Sequence, residues 1–194
     1  MIEHVRSALR ESSTALDRLI SNTETLNRIA QAGQLLAQAL GGSARVFSCG
    51  NGGSMCDSIH FAEELSGRYR QNRKGLPAIA IADPGHLSCV GNDFGYEFVF
   101  SRFLEAHARP CDVLVGISTS GSSANVIKAA EFANANGMKV ITLTGRIDST
   151  LGKMATLDIC TPAGKYADRV QELHIKVIHI LIELVERQLY PENY

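Results

Sequence analysis

Along the first 40 residues apolar positions recur at helical spacing. Val5, Ala8, Leu9, Leu16, Leu19 and Ile20 form one stripe, and Leu26, Ile29, Leu35, Leu36 and Leu40 a second, which predicts two amphipathic helices. "SNTE" at 21–24 reads as a helix start and Gly41-Gly42 as a stop. Then the period changes. "RVFSC" (45–49), "AIAIA" (78–82), "DVLVGIS" (112–118), "KVITLT" (139–144) and the weaker "LDICT" (157–161) are short apolar runs rich in β-branched residues, the pattern of buried strands. Each after the first follows a helical stretch, and such alternation implies right-handed crossovers and a parallel sheet covered on both faces. The chain closes with a long helix from Asp168 to about Leu189, ended near Pro191 and apolar nearly all round through its middle. Val170, Leu173, Val177, Ile180 and Leu184 lie on one side, Ile175, Ile178 and Ile182 on another. That is more apolar surface than one sheet layer covers, and it predicts packing against a second subunit. The expected architecture is one α/β domain over 1–194, with N-terminal helices over 1–42 and a doubly wound, five-stranded parallel sandwich over 45–189.

Composition narrows the function classes. A hydrophobic share of 45% and a charged share of 20% are those of a globular chain. The net charge of −1 leaves no electrostatic footprint for nucleic acid, and no apolar run reaches the roughly 20 residues of a membrane span. "MIEHVRSALRESS" carries acidic residues and lacks the apolar core of a signal peptide. The five cysteines (49, 56, 89, 111, 160) are odd in number and form no CxxC pair. They are expected as reduced thiols of a cytoplasmic protein, serving as small core hydrophobes.

Candidate chemistry begins at two loops that follow strands and open helices, "CGNGGS" (49–54) and "STSGSS" (118–123). In a doubly wound sheet, ligands bind beyond the carboxyl ends of strands where the strand order reverses. A flavodoxin-like order 2-1-3-4-5 sets the first and third strands, hence these two loops, side by side at that point. Glycines let a backbone approach a ligand closely, and hydroxyls with fresh helix N–H groups suit an anion, so a phosphate ester is the expected guest. Neither loop is GxGxxG or a P-loop, which disfavours a nucleotide. The plainer reading is a pair of tight turns with serine N-caps.

Downstream, His60 and Glu64 of "HFAEE" share a helix face; spacing alone also suits an exposed helix pair. The last helix offers Gln171, His174 and His179. Gln171 and His179 are two turns apart and can converge on one site, whereas His174 has a different bearing. Structurally, Asp168-x-x-Gln171 also matches a capping box, and His179 could be a core histidine bonded to backbone. Jointly, His60, Glu64, Gln171 and His179 could supply N, O, O and N donors to a divalent metal, zinc being the best match.

"SCGNGGS", "HFAEELSGRYR", "CVGNDFGYE", "GISTSGSSANVIKA" and "DRVQELHIKVIHILI" together resemble the bacterial phosphoheptose isomerases of the sugar-isomerase (SIS) family, over nearly the whole stretch from Val46 to Glu186. The resemblance implies a homotetramer with active sites at subunit interfaces. It also implies conversion of sedoheptulose 7-phosphate to D-glycero-D-manno-heptose 7-phosphate, the first step toward ADP-heptose for lipopolysaccharide core. By motif, Asn51, Gly52, Gly53, Asn92 and Asp93 contact substrate, with Glu64 and Gln171 beside them. Ser118, Thr119, Ser120 and Ser123 hold phosphate, and Glu64 and His179 are the acid/base pair. His60, Glu64, Gln171 and His179 bind one zinc per subunit. Met55 and "RIDSTLGKM" depart in detail from the pattern. Two competing readings are a non-catalytic SIS-type regulator that binds the replication initiator, and an enzyme acting on a hexosamine derivative, such as an etherase. Both carboxylate and histidine being present argues against the first, and the single-domain length against the second.

Overall fold

The computed structural model describes all 194 residues. Helices α1 (Ile2–Ser21) and α2 (Thr23–Gly41) meet at Asn22. Asn22 is the N-cap within the predicted start signal: its Oδ1 accepts the Thr25 N–H at 3.0 Å. Gly42 follows the last helical residue of α2, where the stop was expected.

Five strands follow: β1 (Val46–Gly50), β2 (Ala78–Ala80), β3 (Val113–Ser118), β4 (Lys139–Thr144) and β5 (Leu157–Cys160). All neighbours are parallel, in the order β2-β1-β3-β4-β5, which is the expected doubly wound arrangement. Crossovers carry α3 (Gly53–Ser66), α4 (Pro84–Asp93), a 3₁₀ turn (Tyr96–Phe98), α5 (Val99–His107), α6 (Ala124–Ala135) and α7 (Thr150–Met154); α8 (Ala167–Leu189) follows β5. Alternation along β3 divides the interior in two. Val113, Val115 and Ile117 point into a core with α2, α3 and α8, while Leu114 faces a second core with α5 and α6. Gly50 of β1 pairs with Ile117 of β3, so the loops after these strands leave the same edge of the sheet together.

One expectation is narrowed and one corrected here. Most of the apolar surface of the last helix is used within the chain: α2 and α3 flank it, and Val177, Ile178, Leu181, Ile182 and Val185 are fully buried, leaving Ile180 as its exposed large apolar residue. Further exposed apolar surface lies on α1 (Ile2, Val5, Leu9, Ile20) and at Leu26, because the outer face of α1 meets no element of its own chain. Of the cysteines, only Cys49 is buried; its thiol is pushed up to about 12 by that burial. Cys56, Cys89 and Cys111 lie on the surface, and all five are free thiols.

Candidate active site

The two loops at the β1/β3 edge are tied to each other. Asn51 Nδ2 donates to Asn125 Oδ1, and Asn125 Nδ2 returns a bond to Asn51 Oδ1, both at 2.8 Å. Tyr96 adds its hydroxyl to Asn51 Oδ1 at 3.2 Å. Asn125 is buried at the start of α6. It was not singled out from sequence, although it lies inside the quoted motif "SSANV"; nothing in spacing marks a partner 74 residues away.

Neither loop is a turn with a serine cap. In the first, the cap position is Gly52 with φ of +55°, a left-handed conformation that glycine adopts without strain. Gly53 lets the Gln171 side chain approach: a Cβ there would stand 2.6 Å from the Gln171 amide nitrogen and push that side chain aside. In the second, Ser123 occupies the N-cap of α6 without capping it. Its hydroxyl lies 2.9 Å from Ser118 Oγ, which is also 3.4 Å from Ser120 Oγ. Ser122 donates through both its N–H and its hydroxyl to Ser120 Oγ. The hydroxyls are thus gathered into one cluster at an uncapped helix start, the arrangement an anion needs. Thr119 and Ser120 also line a cavity of about 270 Å³ with Arg146 and Lys165, and neither cation makes an ion pair with a carboxylate.

Where α3 meets α8, His60 lies between Glu64 of its own helix and His179. His60 Nε2 is 2.9 Å from His179 Nε2 and 3.8 Å from Glu64 Oε1. Glu63 is the residue that motif reading passed over: its carboxylate binds His60 Nδ1 at 2.8 Å. With Nδ1 taken by Glu63, Nε2 is the His60 nitrogen that faces His179 and Glu64. Burial first, and then Glu63, pushes the Glu64 carboxyl above its ordinary range; burial first, and then His60, pulls His179 below its own. Tyr69 stacks on the His179 ring at 5.9 Å. The ligand atoms that lie within 4.8 Å of one another are those of His60, Glu63 and Glu64, and His179 joins them through His60; imidazole and carboxylate donors of this kind suit zinc.

Other expected site residues lie apart from this trio. Gln171 is set against Gly53 at the opening of α3 and makes no hydrogen bond to His60, Glu64 or His179. The capping-box reading of Gln171 is overturned: the N-cap is Tyr166, and Asp168, inside the first turn, accepts from the N–H of Arg169. Asn92 and Asp93 are exposed at the end of α4 and hydrogen-bonded to each other. Neither bonds any other member of the predicted set within one chain. The backbone-bonded core histidine is His174, whose Nε2 lies 3.1 Å from Thr144 O.

A doubly wound sheet with a serine loop and a glycine loop at its switch point, and a His/Glu group farther along the helix that the glycine loop opens, defines the phosphosugar-handling class. A model of the SIS domain matches residues 9–145, and the chain belongs to the SIS domain family and, within it, to the phosphoheptose isomerases, which are aldose–ketose isomerases. The phosphoheptose isomerase of Edwardsiella ictaluri (strain 93-146) is 55% identical over 185 residues, spanning 95% of this chain and 96% of that one. Among solved structures, the phosphoheptose isomerase GmhA of Neisseria gonorrhoeae is 37% identical with a TM-score of 0.87, over 95% of this chain and 97% of that one. A phosphoheptose isomerase of Francisella tularensis is 30% identical with a TM-score of 0.90, over 96% and 98%.

Proposed function

We propose that this protein converts sedoheptulose 7-phosphate to D-glycero-D-manno-heptose 7-phosphate, supplying the first step toward ADP-heptose. The observation that carries this reading is His60 set between His179, at 2.9 Å, and Glu64, at 3.8 Å, in a chain that also carries a hydroxyl-lined anion loop. The serine loop grips the phosphate, with Asn51, Gly52 and Gly53 under the sugar. Glu64 removes the C1 proton, the electron pair moves into an enediolate across C1 and C2, and protonation at C2 completes the aldose. His179 shuttles the proton between the two oxygens. A carboxyl held above its usual range by burial is a stronger base for this step than an exposed one.

His60, Glu64 and His179 would hold a zinc ion, with Gln171 as the expected fourth donor. Bound there, zinc supplies Lewis-acid stabilisation of the developing oxyanion. The quaternary structure proposed is a homotetramer with sites at subunit interfaces. In support, the exposed apolar face of α1 and a groove of about 420 Å³ lined by Leu16, Leu19, Ile20, Leu26 and Ile29 run up to Tyr69 and His179. Free thiols favour a reducing, cytoplasmic location. No helix is long and apolar enough to cross a membrane, and no nucleic-acid partner is proposed. A non-catalytic regulator would have no need of a carboxylate and two imidazoles brought together, so that alternative is not favoured. Incubation with sedoheptulose 7-phosphate should give an aldose 7-phosphate detectable by proton NMR. An unchanged ketose in the presence of added zinc contradicts the proposal.

A further inference from the structure

We propose that Arg73, held by Glu186 and Tyr194, is a positioning residue for Glu64; the inference rests on the isomerase reading above. Glu64 stands in the last turn of α3, which ends at Ser66. The final carbonyls of a helix have no partner within it, and last turns fray. A reacting carboxylate, by contrast, must be held to within about 0.5 Å.

One guanidinium closes this turn. Arg73 Nη2 donates to the Glu64 carbonyl at 2.7 Å, and Nη1 donates to the carbonyls of Leu65 and Gly67 at 2.8 and 2.9 Å. A cation is thereby fixed at the negative end of the helix. Arg73 belongs to the segment between α3 and β2, which has no regular structure to hold it. Its anchor is Glu186 of α8: Nε donates to Oε1 at 2.8 Å, with both side chains no more than 1% exposed. The other Glu186 oxygen accepts the Tyr194 hydroxyl at 2.8 Å.

The same segment reaches the histidine side. The Arg70 guanidinium lies 5.3 Å from the Tyr69 ring and 5.9 Å from the Tyr194 ring, and Tyr69 stacks on His179. Residues 69–73 therefore bear on the Glu64 backbone and on the His179 ring, and both lines of contact end at Tyr194. A buried ion pair adds little net stability over apolar side chains of equal volume. What this one supplies is direction, because a rigid fork of donors serves three carbonyls and a carboxylate together, as a lysine ammonium cannot.

Arg73→Lys and Tyr194→Phe test this, read by amide hydrogen exchange and by kcat and KM at a temperature well below each variant's melting point. Arg73→Lys should speed exchange over 61–67 while leaving β3 and β4 protected. It should lower kcat about tenfold or more, with KM unchanged, because the phosphate grip lies on another loop. Tyr194→Phe should shift both readouts the same way by a smaller factor. Arg45→Lys, which loosens the pair with Asp112 (2.9 Å) at the opposite end of the sheet, should lower the melting temperature and leave kcat alone. An unchanged kcat, or unchanged exchange over 61–67, overturns the proposal even if Arg73→Lys is less stable. Should Arg73→Lys fail to fold, Tyr194→Phe decides by the same two readouts. If the wild-type protein does not turn over sedoheptulose 7-phosphate, the isomerase reading fails, and the exchange arm still decides whether Arg73 clamps the turn that carries Glu64.

Discussion

Ser123 shows how a residue can sit at a structural position and do something else. It precedes the first helical residue of α6, yet its hydroxyl points to Ser118, 2.9 Å away, and leaves the helix amides uncapped. A serine normally gains about 1 kcal/mol by capping; here that gain is forgone and a hydroxyl is added to the loop that is proposed to hold phosphate. Ser123→Ala should therefore raise KM about tenfold or more while kcat falls less, since a hydrogen bond to a charged group contributes about 1.5–3 kcal/mol and remote phosphate binding is largely uniform along the reaction. Initial rates across substrate concentrations read this directly, and an unchanged KM removes Ser123 from the anion site. Glu63 makes the complementary point. It was invisible as anything but a solvated neighbour of Glu64, and its role emerges only from the 2.8 Å contact that sets which nitrogen of His60 faces inward.

At the scale of elements, the sheet was legible from periodicity. "KVITLT" became β4 residue for residue, and the order β2-β1-β3-β4-β5 placed the two loops together as anticipated. Buried parallel strands announce themselves because both faces must be apolar. Less legible was anything that depends on which side of α8 meets which neighbour. Its capping pattern misled, because Asp168-x-x-Gln171 fits the box while Tyr166 occupies the cap and Gln171 turns toward Gly53. The Asn51–Asn125 pair and the Arg73 clamp were likewise hidden, since each joins segments far apart in sequence. α8 also carries His174, which is buried neutral against Thr144 O, with Nδ1 unpartnered and its pKa lowered to about 4 by burial. The folded pKa lies below the unfolded value of 6.5, so the unfolded state binds the proton first. Stability from this group is complete above pH 6.5 and lost as pH falls toward 4, by about 3 kcal/mol in order of magnitude. Glu64 and Asp57, whose carboxyls burial pushes up, act in the opposite sense. Urea midpoints should fall between pH 7 and pH 4 and fall less in His174→Asn; an identical pH dependence in the two proteins contradicts the assignment.

For the whole molecule, the exposed Ile2, Val5, Leu9 and Ile20 of α1, leading into the groove at Tyr69 and His179, favour burial by further copies of this chain. Light scattering at micromolar concentration should give a mass near four times 21.0 kDa; a monomer at that concentration contradicts both the tetramer and the shared site. The central claim, that Glu64 moves the proton in a sugar isomerisation, is tested most directly by solvent exchange. Wild-type protein with sedoheptulose 7-phosphate in deuterated water should wash deuterium into C1 of the ketose and C2 of the aldose. Glu64→Gln is nearly isosteric and keeps helix propensity, so its fold and mass should survive. Exchange should nevertheless fall about 10²–10⁴-fold, as expected for loss of a positioned base, and added zinc should not restore it. A folded Glu64→Gln protein that exchanges and isomerises at near the wild-type rate contradicts the account, and recovery on adding zinc would leave Glu64 the role of metal ligand alone and remove it as the base.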